Sequence, residues 1–199
     1  MSEIGSFYGG LTGKAKADFQ DGNARFVTYV NVFNNLAVDT SPETRVKVGA
    51  GERQNHVRYG DVIFTASSES VEEAGMSSAV TVEPNEPLFV NSFCFGFRPT
   101  KPADLNPEFA KHLFRSAGVR GQIIKTANGV TRINVSKERF RQIVIPLPEP
   151  EEQSRIAALL DRFDALVNDL SSGLPAEIAA RRAQYEHYRD RLLTFEEAS

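Results

Sequence analysis

One stretch decides how this chain is organised: residues 143–160, which read IVIPLPEPEEQSRIAALL. Its β-branched start and the prolines that follow predict a strand and then an acidic turn. Pro150 suits the first position of a helix, and Glu151 and Glu152 place carboxylates where they complement the free N–H groups of a first turn. A long helix is therefore predicted to begin here.

The predicted helix carries a narrow apolar seam. Its apolar residues recur four, three, four and three positions apart, which is the spacing of a coiled coil. We predict that the seam forms a dimer through Ile156, Leu160, Phe163, Val167 and Leu170. Gly173 and Pro175 predict a break, and a second helix runs from Ala176 to about Leu193. The two helices fit either a hairpin or one kinked rod, and they fit either a dimer seam or a cover for a core.

Three C-terminal segments carry a resemblance to a known family: residues 143–164, 173–178 and 181–193, which read IVIPLPEPEEQSRIAALLDRFD, GLPAEI and RRAQYEHYRDRLL. They resemble the conserved helical region of the DNA-specificity subunit of type I restriction-modification enzymes. In that family a target recognition domain precedes the helical region, and the usual subunit carries two of each. This chain has one of each. The resemblance implies a half-subunit, with a recognition domain at 1–148 and a helical dimerisation or spacer region at 149–199.

The resemblance also implies a function. Such a subunit is not an enzyme: it binds double-stranded DNA and directs a methyltransferase (modification) subunit and a restriction subunit to a chosen sequence. It implies no cofactor in this chain, with S-adenosylmethionine in the modification subunit and ATP and magnesium with the restriction subunit. The helical region would pair with a second copy of itself or with another half-subunit. Two alternatives stay open: a specificity subunit of a related type II (BcgI-like) system, and a structural adaptor that does not read DNA.

Charge is unevenly distributed along the 199 residues, whose net charge is −3 at pH 7. Residues 1–148 contain 17 Lys or Arg and 15 Asp or Glu, whereas residues 149–199 contain 6 and 11. The small positive excess of the first part predicts weak affinity for DNA phosphates unless partner subunits contribute. The sequence has neither an apolar run of about 18 residues nor a basic, apolar leader, which predicts a cytoplasmic protein.

Residues 1–148 are predicted to form a mixed, mainly antiparallel β domain, so that with its helical arm the chain is α+β. Asn106 and Pro107 predict the start of a helix that ends at Gly118, and Ser136 predicts a short capped helix. Runs rich in β-branched and aromatic residues predict strands, the first of them central in a sheet, at 25–33, 61–65, 79–82 and 88–97.

Three polar loops supply candidate DNA contacts. A Gly-rich loop at 5–16 only superficially resembles a nucleotide-binding loop, because Tyr8 and Ala15 replace residues that the motif requires. A hydroxyl-rich loop at 65–70 and a loop rich in Lys, Arg and amides at 120–132 offer groups that pair with base edges or phosphates. The candidates are Lys14, Lys16, Thr65, Ser67, Ser68, Lys125, Asn128, Thr131 and Arg132. For each loop, a plain solvent-exposed turn remains the alternative.

Catalytic motifs are not recognisable in the sequence. No two prolines are adjacent and no lysine follows an acidic residue by two positions, so an amino-methyltransferase core and a common nuclease signature are absent. His56, His112 and His187 show no metal-ligand spacing with one another or with Cys94. Cys94 lies between two phenylalanines and is predicted to be a small buried hydrophobe, with a metal or nucleophile role as the alternative.

Overall fold

The computed structural model describes residues 1–169 and 175–194. The strands are β1 (Gly5–Gly9), β2 (Ala24–Val27), β3 (Arg45–Val46), β4 (Val62–Thr65), β5 (Ser67–Ser68), β6 (Ser77–Ala79), β7 (Leu88–Val90), β8 (Cys94–Pro99), β9 (Ala127–Asn128) and β10 (Ile133–Val135). The helices are α1 (Tyr29–Asn34), α2 (Pro107–Leu113), α3 (Ala117–Lys125), α4 (Lys137–Phe140), α5 (Pro150–Asp169) and α6 (Pro175–Leu192), with a short 3-10 helix at Lys16–Phe19. None of the helices in the described ranges combines the length and the apolar character that a membrane span requires.

A four-stranded antiparallel sheet, with the order β1-β8-β4-β6, carries the centre of the main core. Val62 pairs with Phe97 and Phe64 with Phe95, which places phenylalanines of neighbouring strands side by side. The rings of Phe64 and Phe95 stack with their centroids 5.5 Å apart. Phe140 of α4 packs edge-on against both rings. The sheet is therefore joined to the helices through aromatic contacts, which bury large apolar areas.

Two three-stranded sheets have the orders β3-β2-β7 and β5-β10-β9. β2 pairs with β7 in parallel, and every other strand pair among the described residues is antiparallel. The prediction of an α+β fold with mixed, mainly antiparallel strands is confirmed. β2 is also central in its sheet, as expected from its sequence.

The segment predicted as one strand at 25–33 is in fact a strand followed by a helix. Thr28 separates β2 from α1, because its hydroxyl accepts a hydrogen bond from the N–H of Asn31 at 3.2 Å and so caps the helix. Val32 is fully buried, whereas Val30 is 62% exposed. A local cap and tertiary packing thus override the β propensity of these residues.

Two other strand predictions are wrong in their boundaries, and one strand is not formed. The segment 88–97 is divided into β7 and β8 by a turn in which the side chain of Asn91 accepts the N–H of Phe93 at 2.8 Å. The strand expected at 79–82 lies earlier, in β6. Residues 143–148 pair with no strand in the described part of the chain. Their prolines remove donors that a ladder would need.

Helix starts were predicted better than helix ends. The side chain of Asn106 accepts the N–H of Glu108 at 2.9 Å, and Ser136 caps α4, as the sequence indicated. α5 begins at Pro150. Gly118, however, does not end α2, which stops at Leu113; it lies inside α3.

The two C-terminal helices form a hairpin that packs on the rest of the chain. α5 contacts both α2 and α6, so the hairpin, rather than the kinked rod, is observed. Ile156 and Leu160 are 1% and 0% exposed and lie in the same core cluster as Phe64. Leu193, just after α6, is buried in that cluster as well. The expected dimer seam is therefore wrong for Ile156 and Leu160, because periodicity shows that a face is buried but not which chain buries it.

The rest of the predicted seam lies farther along α5. Phe163 stacks on Tyr188 of α6, with ring centroids 5.4 Å apart and an angle of 11° between the rings. Val167 is half-buried. Leu170 lies outside the described residues. For these residues, a role in dimerisation stays a prediction.

Candidate nucleic-acid interface

An open cleft of about 740 Å³ lies where α1, β5, the β7–β8 turn and the β9–β10 turn meet. We call it the aromatic cleft, because three aromatic rings contribute to its walls. Its lining consists of Tyr29, Val30, Phe33, Asn34, Ser67, Ser68, Glu69, Glu73, Phe93, Thr131 and Arg132.

Strand pairing brings segments that are distant in sequence to this cleft. In the β5–β10 pair Asn134 lies opposite Ser67, and β10 also forms a hairpin with β9. The hairpin turn therefore lies beside β5. Gly129 adopts a φ of +119° in this turn, and a Cβ at that position would collide with the carbonyl oxygen of Arg132. The turn therefore needs glycine at this position. Its conformation determines the point from which the side chain of Arg132 projects.

The guanidinium of Arg132 is held on two sides but remains open to a ligand. Its Nε and Nη2 donate to Oγ of Ser67 at 3.1 Å and 2.9 Å. Its Cζ lies 5.0 Å from the centroid of the Phe93 ring, within the range of a cation–π interaction. Phe93 is 50% exposed, and Arg132 is exposed too. The protein orients this cation without enclosing it.

The opposite wall is the short helix α1, which is fixed to β5. The rings of Tyr29 and Phe33 stack with centroids 5.9 Å apart. The hydroxyl of Tyr29 donates to the carbonyl oxygen of Ser67 at 2.9 Å. Burial raises the pKa of Tyr29, so the phenol stays a neutral donor at physiological pH. Ser67 therefore links both walls, through its carbonyl to Tyr29 and through its hydroxyl to the guanidinium.

The charged side chains that line the cleft disfavour the binding of a phosphate. Glu69 is exposed and Glu73 is half-buried, and both line the cleft together with Arg132. Val30 adds an exposed apolar side chain. Two carboxylates beside one cation disfavour a phosphate, whereas apolar walls with an oriented cation suit the edge of a base.

Four of the predicted contact residues are brought together in the cleft: Ser67, Ser68, Thr131 and Arg132. Ser68 donates from Oγ to the carbonyl oxygen of Ser70 at 2.6 Å. Both serines are 6% exposed, so they shape the wall of the cleft and project little from it. Thr131 and Arg132 are the exposed members of the group.

The other candidates lie elsewhere. The proposed contact through Thr65 is wrong, because its side chain is fully buried and its hydroxyl accepts the N–H of Met76 at 3.0 Å. Lys14 is mostly buried in an ion pair with Glu52 at 2.5 Å and donates to the carbonyl oxygen of Lys47 at 2.6 Å. The Lys14 ammonium is thus held by residues of its own chain, and a contact of Lys14 with DNA stays a prediction.

Three exposed candidates lie outside the lining of the cleft: Lys16, Lys125 and Asn128. A contact of any of them with DNA stays a prediction.

The aromatic wall was missed in the sequence. The sequence predicts a strand over Tyr29, Val30 and Phe33 and another strand over Phe93. The available signals were Thr28 as a helix cap and Asn91 as a turn residue, since both side chains favour local hydrogen bonds that interrupt strands.

A second polar network lies at the junction of α2, α5 and α6. Nε2 of the buried His112 is 2.7 Å from Oδ1 of Asp161, and Nδ1 is 3.2 Å from the hydroxyl of Tyr185. The ammonium of Lys111 also lies 2.7 Å from Asp161. We call this set the junction network.

The junction network holds its histidine neutral. Burial lowers the pKa of His112, and Lys111 already balances the charge of Asp161. The hydrogen-bond partners then assign the tautomer: Nε2–H donates to Asp161, and Nδ1 accepts from Tyr185. Burial raises the pKa of Tyr185 to about 12, which keeps its hydroxyl a donor. Each polar group of His112 is thus satisfied within the chain.

Among the described residues, neither a cluster of metal ligands nor the thiol of Cys94 contributes to the lining of the aromatic cleft. In the part of the chain that the structure describes, no three His, Cys, Asp or Glu side chains are grouped closely enough to hold a metal ion. Burial raises the pKa of Cys94 to about 12, so the thiol stays protonated and weakly nucleophilic at neutral pH. The cleft offers hydrogen bonds, a cation and aromatic faces.

Comparison with known proteins agrees with this description. Residues 1–180 match the family model of the type I restriction modification DNA specificity domain. The specificity subunit of the type I restriction enzyme EcoR124I/EcoR124II from Escherichia coli is 30% identical over 202 residues, which cover 98% of this chain and 47% of that protein. The chain spans about half the length of that relative.

Two solved structures resemble the fold. A chain of a type I restriction-modification system has a TM-score of 0.61 at 18% identity, over 96% of this chain and 44% of that one. The HsdS subunit from Thermoanaerobacter tengcongensis has a TM-score of 0.56 at 17% identity, over 96% and 43%. At such identities the likeness concerns the fold alone.

Proposed function

Because this chain belongs to the type I restriction-modification DNA specificity family, we propose that it is a non-catalytic subunit that selects the DNA sequence on which partner subunits act. The observation that carries the proposal is the aromatic cleft, which presents the guanidinium of Arg132 beside apolar walls. Such a surface can distinguish bases, because an oriented side chain in a groove reads the hydrogen-bonding pattern of base edges.

In this proposal, residues 1–148 read DNA and residues 149–199 connect this part to the rest of the complex. The complex acts in the cytoplasm. A modification subunit with S-adenosylmethionine and a restriction subunit with ATP and magnesium supply the chemistry. Residues 1–148 carry only a small excess of positive charge, which supports separate roles for this chain and its partner subunits. Partner subunits would provide most phosphate contacts, and this chain would provide the sequence preference. Alone, the chain should bind DNA weakly and with little selectivity.

The proposal for assembly is that the α5–α6 hairpin pairs with a second copy or with another half-subunit. Leu166 of α5 is 53% exposed and Tyr188 of α6 is 37% exposed, which supports an apolar face outside the core. A two-fold pair of identical subunits would select an interrupted palindrome, since each would read one half-site. A pair of different subunits would select an asymmetric target.

Sedimentation of the pure chain tests this assembly at tens of micromolar concentration. We expect a dimer for the native chain and a monomer with unchanged helical content for Leu166→Asp, because a charge would be buried without a partner in the interface. Leu166 is a better probe than Phe163, whose ring already packs on Tyr188 of the same chain. A native chain that sediments as a monomer would leave pairing to another half-subunit or to the modification subunit.

Methylome sequencing tests the function directly. Cells that carry the chain with its modification subunit should acquire one new methylated motif, and cells that carry the modification subunit alone should not. Methylation that is the same in both cells would contradict sequence selection by this chain and favour the structural adaptor.

A further inference from the structure

We propose that Arg132 is a specificity-determining residue that reads a guanine through the O6 and N7 atoms at its major-groove edge. The inference rests on the proposed function and names the base and the side chain involved. It follows from the orientation of the guanidinium, from the chemistry around it and from the rigidity of its support.

The orientation leaves one edge of the guanidinium for a ligand. An arginine offers five N–H donors, arranged as a side edge (Nε and Nη2) and an end edge (Nη1 and Nη2). The side edge of Arg132 is used, since Nε and Nη2 both donate to Oγ of Ser67. Within residues 1–169 and 175–194, Nη1 of Arg132 donates no hydrogen bond. The end edge therefore provides two parallel donors, the pattern that matches O6 and N7 of guanine.

The surroundings favour a base over a phosphate. Glu69 and Glu73 line the same cleft, and a phosphate there would be repelled by two carboxylates. Guanine is neutral and lacks this repulsion. The exposed faces of Val30 and Phe93, at 62% and 50%, offer apolar contact to the flat or methyl-bearing parts of neighbouring bases.

Ser67 and Phe93 act as positioning residues. Ser67 is itself fixed, because its carbonyl oxygen accepts from Tyr29 and its strand pairs with β10. The Phe93 ring covers one face of the guanidinium at 5.0 Å. A side chain that is already held in its binding orientation loses less conformational freedom when it binds, so these supports raise affinity and selectivity together.

The first experiment selects bound duplexes from a randomised DNA library with the full chain and its modification subunit. The native complex should enrich a motif that contains guanine. Arg132→Ala should reduce the preference for guanine at one position of the half-site by roughly 5- to 150-fold, the range for one bidentate pair, and leave the other positions unchanged. Arg139→Ala is the matched control: it removes an exposed arginine of α4, outside the cleft, and should keep the native motif.

The second experiment probes the base. Replacing that guanine with 7-deazaguanine removes the N7 acceptor, so it should weaken binding of the native complex but change binding of Arg132→Ala by less than twofold. Ser67→Ala should show an intermediate loss of guanine preference, and Ser67→Thr, which keeps the hydroxyl, should restore part of it. A purely structural role of Ser67 would not be rescued in this base-specific way.

Each outcome decides one proposal. A native complex that enriches no motif would overturn the proposed function. A native motif that Arg132→Ala leaves intact would overturn the guanine contact while the proposed function stands. Equal weakening on every sequence would also overturn it, since it would assign Arg132 to a phosphate. Thermal unfolding of each variant, with a midpoint well above the temperature of the binding assay, shows that these results do not come from loss of the fold.

Discussion

The junction network and the aromatic cleft use similar groups in opposite ways. At the junction, His112 has a partner at each ring nitrogen and is fully buried. In the cleft, Arg132 has one edge on Ser67, one face on Phe93, and an exposed remainder. A network whose hydrogen-bonding capacity is used up within the chain stabilises a packing arrangement. A network that orients a charged group and leaves part of it free prepares a binding surface. The comparison predicts large stability effects at the junction and large selectivity effects in the cleft.

The largest stability effect is expected at the core beneath the junction. Leu160→Ala removes a side chain that is 0% exposed and should lower the free energy of unfolding by about 2–5 kcal/mol. Leu166→Ala, on the same helix at 53% exposure, is the matched control and should change it by about 0.5 kcal/mol or less in the monomer. Denaturant unfolding measures both. Similar losses for the two variants would mean that α5 does not pack as described.

A smaller effect is expected from opening the junction network. Asp161→Ala leaves Nε2–H of His112 without its acceptor and should lower the free energy of unfolding by about 1–2 kcal/mol. The side chain of Asp161 is 41% exposed, so water can replace part of what is lost. In the cleft, Ser67→Ala should cost about 1 kcal/mol or less, because the exposed guanidinium can turn to solvent. An equal or larger loss at Ser67 would break the comparison.

The loss of stability caused by lowering the pH should be smaller than the loss caused by Leu160→Ala or by Asp161→Ala. Burial lowers the pKa of His112 below its ordinary value of 6.5. As the pH falls through that value, the unfolded chain takes up a proton that the folded chain still excludes, so stability is lost until the lower, folded-state pKa is reached. The imidazolium can still donate to Asp161, which limits the loss. Thermal unfolding between pH 8 and pH 5 measures it, over a range that brackets the ordinary histidine pKa.

His112→Gln should flatten this pH dependence, because glutamine does not titrate. His187→Gln, at an exposed position of α6, is the matched control and should keep the native profile. Burial opposes ionisation of Asp161, but hydrogen bonds from Lys111 and His112 outweigh it and lower the pKa of that carboxyl. The contribution of Asp161 is therefore lost only below its ordinary pKa of 3.8, outside this window. An unchanged slope in His112→Gln would contradict the neutral histidine.

The smallest effect on stability is expected at Lys16 of the N-terminal loop, where binding is the sensitive measure. Lys16 is exposed, so Lys16→Ala should leave stability unchanged, weaken binding of the assembled complex to all sequences, and lower the salt slope by about one phosphate. Lys14 is already paired with Glu52. Lys14→Ala should therefore leave the salt slope unchanged. A loss of sequence preference in either variant would move base reading away from the cleft.

The sequence predicted the features that local chemistry determines. The caps at Asn106 and Ser136 and the start of α5 at Pro150 depend on neighbouring residues, and all three are observed. α1 was missed because its β-branched and aromatic residues favour strands in general, while the single cap at Thr28 decides the outcome. The filling of the α5 seam by the chain's own core is one of the two alternatives that the spacing leaves open, since periodicity does not identify the partner.

The cleft was predicted only in part, for a related reason. Arg132 and Thr131 were identified by their residue types next to an Asn-Gly turn, and Ser67 by a hydroxyl-rich loop. These residues come together because β5 pairs with β10, and Ser67 and Arg132 are 65 positions apart in the sequence. Residue type and spacing do not predict such a long-range strand pair. Phe93 and Tyr29 then belong to the site only because of that long-range pairing.

Because Phe64 of the main sheet and residues of the α5–α6 hairpin share one core, the core cannot close until the hairpin has been synthesised. Met1 and Phe64 lie in the same cluster as Leu160 and Leu193. The ribosome releases the N-terminal part first, at about 5–20 residues per second. Until α5 and α6 emerge, the phenylalanine-rich face of the main sheet is partly exposed to solvent. This apolar surface can then aggregate with other chains. Final closure of the core thus coincides with formation of the hairpin, so the main sheet and the C-terminal helices become stable together.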